Sequence, residues 1–107
     1  MSETDNGTAL HRLLALQQEF EDVDIGKMPR EKAANLLNLR RIVYLEVQAL
    51  QARAMTGTTD RYTALTSEFK ASEGSLRALR DWAEEARKTD AMVGNLFKGL
   101  TFALGLL

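Results

Sequence analysis

The chain has 107 residues, 45% of them hydrophobic and 27% charged, which suits a globular or coiled domain and excludes a charge-dominated disordered tail. At this length one domain at most is expected, and self-association is a natural supplement to its small core. The absence of cysteine excludes disulfide and thiolate chemistry, and a formal net charge of -1 gives no bulk attraction to nucleic acid.

Residues 1–8 are polar and acidic, without the basic start and continuous apolar run of a secretory leader, and are expected to form a flexible N-terminal segment. A first helix is predicted over residues 9–23, because Leu10, Leu13, Leu14, Leu16, Phe20 and Val23 recur at three- and four-residue intervals. Asp24, Ile25, Gly26 and Lys27 break that pattern. Pro29 then suits a first helical turn, where its missing N–H costs nothing.

The second helix is predicted from near Pro29 to Thr56, with Gly57 as its stop. Leu36, Leu39, Val43, Val47, Leu50 and Ala54 form one stripe, and Leu37, Tyr44, Leu45, Ala52 and Met55 widen it, so this helix of roughly 40 Å should touch more than one neighbour. Charge supports a hairpin of the first two helices. Glu3, Asp5, Glu19, Glu21, Asp22 and Asp24 stand against Arg12 in residues 1–26, whereas Lys27, Arg30, Lys32, Arg40, Arg41 and Arg53 outweigh Glu31 and Glu46 in residues 27–58.

Thr58, Thr59 and Asp60 offer caps for a third helix, and from Tyr62 the apolar positions follow a heptad. One seam position reads Tyr62, Phe69, Leu76, Ala83, Asp90, Phe97, Leu104, and the other Leu65, Ser72, Leu79, Ala86, Val93, Leu100, Leu107. Because the phase is unbroken across Gly74, a continuous or gently kinked helix is predicted. The alternatives are a new start capped by Ser75 and a break at Thr89 and Asp90.

The residues offer little to a reaction. His11 has no cysteine or second histidine to share a metal, the serines at 2, 67, 72 and 75 have no histidine nearby in sequence, and Gly94 and Gly99 only superficially match a phosphate loop. Glu84 and Glu85 beside Arg87 and Lys88 read as a solvated helix face, with Glu84 and Lys88 spaced to pair. Arg30, Lys32, Arg40, Arg41 and Arg53 form the best basic cluster, more readily matched by the acidic face of the first helix than by nucleic acid. No catalytic, cofactor-binding or metal-ligating residue is expected.

Residues 91–107 are the most apolar part of the chain. Asn95, Lys98 and Thr101 interrupt the run, which is short for a membrane span, so burial in the protein's own core, in another copy or at a lipid interface is expected instead. The resulting expectation is an all-α, coiled-coil-like bundle: a helical hairpin plus a long or kinked third helix, with a bundle domain over residues 9–90 and an interaction segment over 91–107. Phe69, Leu76, Leu79, Trp82, Val93, Phe97, Leu100 and Leu104 are its expected contact residues. The leading function is a non-catalytic self-assembling scaffold or adaptor, cytoplasmic and homo-oligomeric, docking a protein partner through the C-terminus. The alternatives are a peripheral membrane-active protein inserting residues 91–107 and, less favoured, a small nucleic-acid-binding protein.

Overall fold

In the computed structural model, which describes residues 4–107, the chain turns helical behind a capping carboxylate. The Asp5 side chain accepts the Thr8 N–H at 2.7 Å and starts α1 at Asn6–Asp22, ahead of the expected Ala9. That N–H and the Thr8 hydroxyl hold the Asp5 carboxyl below its ordinary range, as a charged cap should. Of the expected flexible segment, residues 4–8 therefore form the cap and first turn, and residues 1–3 lie outside the described residues. Asn6 fixes this end: its backbone N–H reaches the Asp60 carbonyl at 2.8 Å and its side chain donates to the Gly57 carbonyl at 2.8 Å.

A 3₁₀ turn, Ile25–Lys27, follows, with the Asp24 carboxylate accepting the Gly26 N–H at 3.0 Å. Pro29 takes the N-cap of α2, Arg30–Gly57, whose 28 residues run about 42 Å at the usual helical rise and match the 41 Å long dimension of the molecule. The two helices are antiparallel, since Asn6 meets Gly57 at one end and Glu21 approaches Arg40 toward the other. The buried stripe of α2 is narrower than expected: Leu36, Leu39, Ile42, Val43, Val47 and Leu50 are inside, while Leu37, Tyr44, Ala52 and Met55 are exposed.

The continuous third helix is not formed. Residues 62–66 are not helical, and three helices follow: α3, Ser67–Lys70; α4, Glu73–Ala86; and α5, Ala91–Gly105. Side-chain capping explains the divisions better than glycine does. The Thr66 hydroxyl accepts the Phe69 N–H at 3.1 Å, and Ser72, itself buried, donates to the Phe69 carbonyl at 2.6 Å and closes α3. Gly74 lies inside the first turn of α4 and divides nothing. The break at Thr89 and Asp90 is real, with the Asp90 carboxylate accepting the Met92 N–H at 3.0 Å to start α5.

The molecule is an all-α bundle of two hairpins. The α4–α5 pair packs back on the first hairpin, α5 against α1 and α4 against α2. Phe20, Leu13 and Leu16 of α1 share one core with Leu36 and Leu39 of α2, Leu76 and Leu79 of α4, and Leu96 and Leu100 of α5. The heptad phase survives because each short helix turns its own apolar face to that core. At Gly99 a Cβ would collide with the end of Glu19 and crowd Leu16, so any side chain there must displace both from this close approach of α5 to α1.

Candidate partner-binding surface

The eight residues expected to make intermolecular contacts are distributed mainly inward. Phe69, Leu76, Leu79, Val93 and Leu100 are buried in the chain's own core, and Trp82, Phe97 and Leu104 are half-buried against it. One face of residues 91–107 thus has an internal cover, with Val93, Leu96, Leu100 and Ala103 enclosed, while Met92, Phe102 and Leu107 stay exposed. No helix among the described residues is long and apolar enough to cross a membrane. Two arginines roof the aromatic rings at the edge of α5: Arg12 lies 4.7 Å from the Phe102 ring centre and Arg87 lies 4.3 Å from that of Phe97.

Trp82 and Val93 also come together in a cavity of about 290 Å³. Val23, Met28 and Ala86 complete its apolar lining, and Asp24, Lys27, Thr89 and Asp90 form a polar rim. The two rim carboxylates are already engaged in capping, with Gly26 and Met92.

The most deeply placed polar group is Glu46, fully buried on α2. One carboxylate oxygen accepts the Tyr62 hydroxyl at 2.6 Å and the Leu65 N–H at 2.8 Å; the other accepts the Thr66 N–H at 2.9 Å and the Thr66 hydroxyl at 2.8 Å. Burial, then the hydrogen bond and charge of Glu46, push the Tyr62 hydroxyl well above its ordinary pKa. Four donors compensate a buried charge, so the cluster ties the 62–66 segment to α2. In the sequence Glu46 counts only toward a charge balance. Its spacing places it on the core stripe, between Ile42, Val43 and Leu50, and that is the usable signal.

Among the described residues no three His, Cys, Asp or Glu side chains converge as a metal site. Glu19 is different from Glu46: its Oε1 is buried without a hydrogen-bond partner, beside Gly99. Desolvation, reinforced by the charge of Asp22, raises its carboxyl to about 7.

On the outer face of the first hairpin, Leu37 and Tyr44 stand 48% exposed and Leu14 42% exposed. Leu37, Arg40, Arg41 and Tyr44 of α2, with Gln17 and Glu21 of α1, line an open groove of about 430 Å³. Arg40 approaches Glu21 at 3.9 Å, and Arg41 donates to the neutral Asn38 side chain at 3.4 Å. The Tyr44 hydroxyl accepts from Gln48 at 2.8 Å. Periodicity alone assigns Leu37 and Tyr44 to the widened apolar stripe. Arg41, four residues after Leu37 and on its face of the helix, marks that strip as solvent-facing. No protein-family model, curated protein or solved structure matches this chain.

Proposed function

We propose that the chain is a non-catalytic helical adaptor that binds a partner protein on its α1–α2 face. One arrangement supports this reading: Leu37 and Tyr44 stand exposed around a groove beside Arg40 and Arg41, whereas Val93, Leu96, Leu100 and Ala103 of α5 turn inward and leave Met92 and Phe102 at its surface. Open apolar and tyrosine side chains beside arginine have the composition of interface anchors. A second copy is the poorer occupant, because this face offers two arginines to one acid, Glu21, so a two-fold contact through it would bring together four guanidinium groups and two carboxylates. The adaptor half of the expectation is therefore favoured over self-assembly.

Light scattering during size exclusion should find a monomer at every concentration. A photo-cross-linker attached through Leu37→Cys, specific because the chain has no other cysteine, should form a discrete adduct with a different protein in its native cells. That adduct should disappear with Tyr44→Ser and be absent when the label sits at Glu84. Homodimer formation from position 37, or the same adducts from position 84, would reject the proposal.

A further inference from the structure

The exposed surface of α2 is one-sided in charge. Arg30, Arg40, Arg41 and Arg53 are exposed and Lys32 is half-buried, whereas Glu31 is the one exposed acid of the helix, Glu46 being enclosed. Leu37 and Tyr44 are seven residues apart, two helical turns or about 10.5 Å, and Arg40 and Arg41 lie between them along the groove. A straight helix laid along α2 meets these features at its own matching period: apolar side chains two turns apart, with the intervening turn opposite the guanidinium groups.

We propose that this groove takes an acidic amphipathic helix of a partner protein, with two apolar side chains at Leu37 and Tyr44 and carboxylates between them on Arg40 and Arg41. The inference rests on the adaptor reading and specifies its partner. Charge complementarity selects the occupant: Arg40 has a long 3.9 Å contact with Glu21 and Arg41 a neutral partner, so both can take a closer carboxylate. Glu21 stands in the α1 wall, which directs the partner's acids to the α2 side and opposes a layer of lipid phosphates. The concave shape likewise suits a helix better than a flat membrane.

The probe is a labelled synthetic helix of about 18 residues, long enough for its anchors to lie away from the frayed ends. It carries two leucines two turns apart and two glutamates in the intervening turn; twins carry glutamine or lysine at those two positions. Fluorescence anisotropy with the whole protein should show the glutamate helix binding at least about tenfold more tightly than the glutamine twin at low salt. The difference should shrink as salt approaches about 0.5 M. The charge-reversed protein, Arg40→Glu with Arg41→Glu, should prefer the lysine twin, an inversion that mere loss of folding does not produce. Circular dichroism should be unchanged by these exposed substitutions.

Equal binding of the glutamate and glutamine helices, lost with Leu37→Ser and Tyr44→Ser, would overturn the acidic-partner inference and leave the docking face standing. Absence of binding by every peptide would overturn the inference, while the cross-linking result from position 37 separately decides the adaptor reading. If phosphatidylserine vesicles bind the parent but not the charge-reversed protein, and the peptides bind neither, the face belongs to lipid and both proposals fail.

Discussion

The Tyr62 hydroxyl donates to Glu46 Oε2 at 2.6 Å across 16 residues, joining a non-helical segment to the middle of the longest helix. Glu46 also accepts the Leu65 and Thr66 N–H groups, so its removal leaves one buried and several partly buried donors without partners. Glu46→Ala should cost about 3 kcal/mol or more in urea unfolding, and Tyr62→Phe, which removes one hydrogen bond to a charged acceptor, about 1.5–3 kcal/mol. Changes within about 0.5 kcal/mol for both would show that the cluster does not hold the 62–66 segment.

Glu19 makes stability depend on pH. Its folded-state carboxyl titrates near 7 against an ordinary value of 4.5, so the folded protein holds a proton that the unfolded chain releases between those values. The contribution of the neutral form is complete below pH 4.5 and is lost as pH rises through about 7. On α1 the nearby charge is Asp22, which opposes ionisation; α5 presents Gly99 and carries Lys98, exposed, as its one charged residue. Relative to Glu19→Gln, the parent should lose stability across that window, and the variant should be the more stable protein at pH 8. Parallel stability profiles would contradict this assignment.

Two glycines should respond to alanine with opposite sign. A Cβ added at Gly74 would meet nothing within 4 Å, and the residue lies in an exposed first turn, so Gly74→Ala should stabilise by about 0.5–1 kcal/mol. At Gly99 the same change meets Glu19 and Leu16, and should destabilise by about 1–3 kcal/mol despite its gain in helix propensity. Thermal melts of both variants decide the matter. Equal shifts would mean that α5 does not approach α1 this closely.

Much of the fold is legible in the sequence because helical periodicity is local: the first hairpin and the turn at residues 24–28 follow from spacing and caps, and Thr89 and Asp90 are marked as an alternative break. The third helix reads as continuous because a heptad phase reports which residues are apolar, not whether the backbone between them is helical. Its late start depends on Glu46, distant in sequence from the Tyr62–Thr66 segment it binds, and its later divisions on the Ser72 and Asp90 side chains. The groove is hidden for a related reason. A stripe of apolar residues on α2 cannot show which edge the α1 and α4 partners leave uncovered, and Leu37 and Tyr44 fall on that edge.

The difference between a core and a surface seam gives a further prediction. Leu79 is fully buried within the chain's own fold, so Leu79→Asp should abolish cooperative unfolding, with loss of helical circular dichroism. Leu37→Asp, on the open groove, should shift the melting midpoint by little, within about 0.5 kcal/mol in stability. A folded Leu79→Asp monomer would place Leu79 in an intermolecular seam instead.

The most direct measurement is an amide chemical-shift map of the whole protein titrated with the glutamate-bearing helix. A docking groove on the first hairpin predicts saturable shifts centred on Gln17, Glu21, Leu37, Arg40, Arg41 and Tyr44, with Trp82, Ala86 and Val93 unmoved. Shifts centred on Trp82 and Val93, or no saturable shifts on α1 and α2, would contradict it.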